Sequence, residues 1–226
     1  MKHKNGILLT LDSSGILSAM LFGALLFVFG GQMNAFFLGI MVWFLLLSAI
    51  VTWIGKKRKS EMGVYEHGRS WKNVVANGIV PVFAAAMYYL SATLQLPYQN
   101  LLIVAYVASI SAVAADKFSS ELGVFGGKPT MLVTMEKTKE GVSGGVTIMG
   151  IIAGIVASML VSMPILFIQL PNAAFYYMII IASAFLGNIV DSILGYYENE
   201  NIGNKYTSNA ACSLVGFAVS IMLFYA

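Results

Sequence analysis

The stretch that decides the fold is LLIVAYVASISAVAADKFSSELGVFGGKP, Leu101–Pro129. Its first fifteen residues carry no charge; Asp116, Lys117 and Glu121 then arrive within six residues. An uncharged run that ends abruptly in polar sequence reads as a helix leaving hydrocarbon. The rest of the 226-residue chain repeats the pattern: it is 58% hydrophobic and only 10% charged, with mean hydropathy +0.81. Soluble domains carry about a quarter charged residues. A spanning helix needs about 20 mostly apolar residues, and seven spans are read at 15–30, 35–54, 74–94, 101–115, 146–168, 173–190 and 210–225. Several are short, so their ends are expected to reach into the loops. Alternating segments of about ten residues, the sign of a barrel, are missing. The expectation is an all-α polytopic membrane protein of about seven transmembrane helices, one integral membrane domain over 1–226. Lys2 and Lys4 give a basic start with no small-residue cleavage site after it, so the first span is read as a retained helix. The single cysteine, Cys212, falls in the last span and reads as a small packing residue.

Working outward from that first boundary, the charges fall on one side. The connections Gly30–Asn34, Gln95–Asn100 and Gln169–Asn172 carry none, and all thirteen Lys and Arg lie in the others. Basic loops stay cytoplasmic, which predicts the N-terminus inside and the C-terminus outside. Trp53 and Trp71 flank the KKRK run, Lys56–Lys59, as interfacial rings do. The acids follow the same partition, although Asp and Glu contribute little to topology. A one-sided set of both signs suits an enzyme or binding site at the cytoplasmic face. A transporter or channel, the competing class, would place charge at mid-depth; breaks occur at Pro81, Gly154 and Pro164, but no ionisable residue accompanies them.

Three stretches on that face carry candidate chemistry. Asp116 and Glu121 are five helical positions apart, a turn of about 500°, so on one helix they point about 140° from each other. They can share a metal only if the helix ends between them, which Gly123, Gly126 and Gly127 favour; otherwise they form a solvated helix terminus with Lys117. Mg²⁺ suits one or two carboxylates plus phosphates and water. In EGVSGGVTIMG, Glu140–Gly150, glycines run into the fifth span, whose N-terminus offers free N–H groups to a phosphate. Ser143 and Thr147 add hydroxyls, Gly144 and Gly145 allow close approach, and Lys137 and Lys139 lie upstream. The alternative there is a flexible loop with Ser143 as helix cap. In GNIVDSILGYY, Gly187–Tyr197, Asp191 ends the sixth span. Asn73 and Asn77 enter the third span one turn apart, and Lys205, Thr207 and Asn209 precede the seventh. His67 is lone and is assigned no role.

In the order D-x-x-x-S-E-L-G, G-x-x-G-G-V, D-S-x-L-G and T-x-N, these motifs resemble the phytyl phosphate kinase family of vitamin E salvage and its archaeal and bacterial membrane relatives. That family is distantly similar to phytol kinases, dolichol kinases and CTP-using membrane transferases. The resemblance covers nearly the whole chain, from a D-x-x-G start at Asp12 and Gly15. Asp116, Ser120, Glu121 and Gly123 match the first motif, and Gly141, Gly144 and Gly145 the second. Asp191, Ser192, Leu194 and Gly195 match the third, and Asn209 the late asparagine. Where the family tends to have Thr after the first Asp, this chain has Lys117; where it has Thr-Asn in the glycine motif, this chain has Val142-Ser143.

The resemblance implies phosphoryl transfer from CTP, or another nucleoside triphosphate, to an isoprenyl monophosphate such as phytyl or geranylgeranyl phosphate, with membrane lipid around it and no nucleic acid. In that reading Asp116, Glu121 and Asp191 hold Mg²⁺, and Ser143, Gly144, Gly145, Thr147 and Ser192 contact the nucleotide. Lys117, Lys137 and Arg69 neutralise charge, while Asn77 and Asn209 touch base or phosphate. A lipid alcohol kinase and a lipid cytidylyltransferase are the neighbouring readings. Small residues such as Gly150 and Gly154 leave open whether helices pack within one chain or across a homodimer.

Overall fold

The computed structural model describes residues 11–65 and 68–225; Lys2, Lys4 and His67 lie outside them. Among the described residues seven helices follow one another: α1 Ser13–Gly30, α2 Asn34–Glu61, α3 Trp71–Thr93, α4 Gln99–Leu122, α5 Ile148–Ser162, α6 Ala173–Asn199 and α7 Lys205–Phe224. Two short strands, β1 Thr130–Met131 and β2 Gly145–Val146, pair antiparallel between α4 and α5.

Six segments are long and apolar enough to cross a membrane, the first being Ser13–Glu61 with 49 residues. A straight helix of that length would run about 73 Å, more than twice the hydrocarbon core. It doubles back at the 3₁₀ turn Gly31–Met33, where Gly31 takes φ +52°. Its two ends meet at one place: Asp12 N donates to Arg69 O at 3.0 Å, and both Arg69 and Lys59 pair with Glu121. The segment therefore holds two helices of spanning length, which makes seven such helices among the described residues.

The central element is α4, with 18 of its 24 residues buried. It reads as apolar on every side because it has no lipid face. Around it stand α2, α3, α7, α6 and α5, and α1 packs outside on α2 and α3. Without water between helices there is little hydrophobic drive, so close van der Waals approach holds them. Glycines permit it. A Cβ on Gly154 of α5 would lie 2.5 Å from Ser119 Oγ, one on Gly187 of α6 2.6 Å from Cys212 O, and one on Gly216 of α7 2.8 Å from Ala108 O. Gly150 and Gly154 are thus used within the chain, against α4. Buried Cys212 is a packing residue, its thiol 3.4 Å from Ala112 O.

At the charged end the helices outrun the expected spans. Helix α4 continues past 115 to Leu122, α6 past 190 to Asn199, and α7 begins at Lys205 instead of 210. This corrects the expectation of a break between Asp116 and Glu121. The polar residues there face partners within the bundle, so the ladder continues through them until Gly123 starts a 3₁₀ turn.

Candidate functional site at the charged end

A cavity of about 400 Å³ opens at this end, between α2, α3, α4, α6, α7 and the loop that leads into α5. Arg69, Asn77, Asp116, Lys117, Glu121, Ser143, Gly144, Gly145, Thr147, Asp191, Ser192 and Asn209 all line it. Lys137 does not. It belongs to the hairpin, donating to Thr130 Oγ1 at 2.9 Å, which removes it from the expected set.

The cavity has two poles of charge. At one, the carboxyl groups of Asp116 on α4 and Asp191 on α6 come within hydrogen-bonding reach of each other. Two facing carboxylates repel unless a proton or a cation lies between them. Asp191 Oδ1 is buried without a hydrogen-bond partner, and so is Asn77 Oδ1 on the α3 wall of the same cavity. Orphaned buried acceptors are costly, and hard oxygens of this kind are what Mg²⁺ takes. No third carboxylate joins them: among the described residues no group of three His, Cys, Asp or Glu gathers in a metal-holding arrangement. The pair fits Mg²⁺ in the mode that uses one or two carboxylates plus substrate phosphates and water.

Glu121 is at the other pole, as the helical phase of a continuous α4 requires. Its side chain is 4% exposed and receives three cations. Lys117 Nζ pairs with Oε1 one turn away, Lys59 Nζ with Oε2 at 3.1 Å, and Arg69 Nη2 with Oε1 at 3.6 Å. Thr52 Oγ1 donates to Oε1 at 3.5 Å, and Gly55 leaves room, since a Cβ there would lie 2.8 Å from Oε2. Glu121 is therefore withdrawn as a metal ligand shared with the aspartates. Lys59, which the sequence reading left inside a basic run, joins the site.

The glycine loop serves packing more than phosphate approach. Gly144 has φ +79°, and a Cβ on it would lie 2.5 Å from Tyr196 N and 2.6 Å from Ser192 O. Opposite, a Cβ on Gly195 would lie 2.6 Å from Gly144 N. The second and third motifs thus hold loop backbone against helix backbone. Ser143 Oγ donates to Glu198 Oε2 at 2.9 Å, and Ser208 Oγ of α7 donates to the other oxygen of that carboxylate. Thr147, not Ser143, caps α5: its Oγ1 accepts from Gly150 N at 3.1 Å and donates to Gly123 O at 3.0 Å. Both hydroxyls expected to cradle phosphate already have structural partners. Ser192 Oγ donates back to Asn188 O at 3.1 Å.

Asn188 and Ser119 were not anticipated. Asn188 Nδ2 donates to Ser119 Oγ and Ser119 Oγ to Gly150 O, each at 2.8 Å, tying α6, α4 and α5 together beside the aspartates. Asp12 and Gly15 of the D-x-x-G start do not line the cavity: Asp12 Oδ1 caps α1 by accepting from Gly15 N at 2.8 Å.

The family model described as integral membrane protein DUF92 matches residues 7–219. An uncharacterized membrane protein of Methanocaldococcus jannaschii is 29% identical over 225 residues, covering 95% of this chain and 86% of its own. An uncharacterized membrane protein of Synechocystis is 28% identical over 137 residues, 53% of this chain and 52% of its own. No solved structure matches.

Proposed function

The chain belongs to the DUF92 family of integral membrane proteins, and we propose that it is a membrane-embedded phosphotransferase working at the cytoplasmic face. Its substrates are a nucleoside triphosphate, CTP in the first instance, and an isoprenyl monophosphate. The observation that carries this reading is the Asp116–Asp191 pair, which faces into a cavity that also holds a basic pole. Phosphoryl transfer asks little covalent chemistry of a protein; positioning and charge stabilisation supply most of the rate.

In the proposed reaction an oxygen of the acceptor phosphate attacks the γ-phosphorus of the nucleotide. The bond from that phosphorus to the β–γ bridging oxygen breaks, the nucleoside diphosphate leaves, and the lipid becomes a diphosphate. The acceptor oxygen is already anionic, so no proton need be removed. Asp116 and Asp191 are the residues that would hold Mg²⁺, which when bound screens the phosphate oxygens and stabilises charge on the leaving group. Asn77 on α3 and Asn209 on α7 present amides to the cavity. The loop at Gly144 closes the cavity against α6, and closure limits water as a competing acceptor.

The test is product analysis with purified protein, CTP, Mg²⁺ and geranylgeranyl phosphate. The proposed reaction yields CDP and geranylgeranyl diphosphate. Pyrophosphate with a CDP-lipid would identify a cytidylyltransferase, and turnover of geranylgeraniol but not its phosphate would identify an alcohol kinase. Movement of solute across liposomes with no nucleotide consumed would sink the enzyme reading.

A further inference from the structure

The basic pole is more crowded than its one carboxylate requires. Lys59, Arg69 and Lys117 come from α2, the segment before α3, and α4, and all three converge on Glu121. Their side chains are only 13%, 24% and 10% exposed. Among the described residues Glu121 is the one carboxylate in ion-pair contact with all three, Asp116 acts on Lys59 and Arg69 only from further off, and a cation held away from water without full compensation is costly. Meanwhile all three cations line the cavity. Glu121 is held in place by α2: its Oε2 occupies space that a Cβ on Gly55 would take, and Thr52 Oγ1 donates to its Oε1. It holds all three cations at the cavity wall, where Lys59 Nζ also donates to Ser120 Oγ at 3.0 Å.

We infer that Lys59, Arg69 and Lys117 form an anion clasp for a phosphate group, with buried Glu121 as the positioning residue that fixes the three cations toward the cavity. Lys59 is a direct phosphate-binding residue in this arrangement, although its neighbours in the basic run are not. Lys56 and Lys57 are exposed and do not line the cavity, and Arg58 is occupied by Glu140 at 2.8 Å. The clasp takes either the nucleotide's phosphates or the lipid's, since both present the same oxygens. It concerns the site of the proposed reaction but does not depend on phosphoryl transfer taking place.

The clasp is tested without metal and without turnover. Inorganic pyrophosphate is titrated by calorimetry into the detergent-solubilised full chain in EDTA, which leaves the aspartate pole out of the measurement. Lys59→Ala is expected to weaken pyrophosphate at least tenfold, Lys59→Arg to restore most of it, and Lys57→Ala to change it less than twofold. Glu121→Gln is expected to weaken it as much as Lys59→Ala. Unchanged affinity in Lys59→Ala, or equal losses in Lys57→Ala and Lys59→Ala, overturns the clasp. Tighter binding in Glu121→Gln overturns the positioning role, because the carboxylate would then be a competitor. Should that variant not fold, Arg69→Ala takes its place with the same expected loss. Displacement of pyrophosphate by metal-free CTP or by geranyl phosphate identifies which phosphate the clasp receives; displacement by neither overturns it. Intact metal-free binding with no turnover on any acceptor leaves the clasp standing and removes the reaction.

Discussion

The bundle has a cavity at each end, and their volumes hardly differ: about 400 Å³ at the charged end and about 390 Å³ at the neutral end. The neutral one is lined by Met33, Tyr88, Gln99, Asn100, Ile103, Ile168, Gln169 and Leu170. None of these is charged, and none leaves a buried oxygen orphaned. The charged one holds facing aspartates, a buried ion cluster and two unpartnered acceptors. Space is therefore a poor guide to function in this protein. What separates the ends is that one keeps polar groups unsatisfied at a cost in stability, and such costs persist at sites that bind something.

The largest expected effect breaks the charged end directly. Asp116→Asn and Asp191→Asn each keep the shape and remove the charge, and each should lower turnover of CTP and geranylgeranyl phosphate by at least about a thousandfold, the scale of losing a principal electrostatic group. Melting temperature is expected to hold or rise. Near-normal rates in either variant would remove the metal assignment.

Next comes the seam between loop and helix. Gly144→Ala places a side chain at φ +79° and into the α6 backbone, so the loop should detach at a cost of more than about 1 kcal/mol. Limited proteolysis between residues 129 and 147 should become fast, while the turns of the neutral end stay resistant. Uniform resistance would show that the seam is not what holds the loop.

A milder change sharpens the same contrast. Thr147→Ala removes the α5 cap, with an expected loss of about 1 kcal/mol read from thermal melting and unaltered products. Smallest of all, Gln99→Ala and Gln169→Ala at the neutral cavity should leave kcat and KM within about twofold. A tenfold fall in either would show that the two ends are not functionally separate.

Much of this was legible in the sequence because the membrane imposes it. Charge partition placed Asp116 and Asp191 at the same end, and their helices did the rest. The glycine motif was legible as a motif, but its physics was misassigned. Sequence shows that Gly144 and Gly145 are small; only the fold shows that Gly195 answers Gly144 across a seam. The glycines Gly123, Gly126 and Gly127 suggest an early end to α4, whereas the polar residues before them find partners on neighbouring elements and the helix runs on to Leu122. Lys59 looked like any member of KKRK. Its phase was the available signal: Thr52, Gly55 and Lys59 are spaced by three and four, one face of α2, and that face looks at Glu121.

The contact between Gly144 and Gly195 has a consequence for anyone recombining members of this family. Gly195 lies one turn beyond Asp191 on α6, so the loop rests on the same helical segment that aims a carboxylate. Neither surface has slack, because each was shaped with no side chain on the other. A chimera that imports a relative's loop must import its 191–196 segment as well, and the two pieces, some fifty residues apart in the chain, exchange as one part.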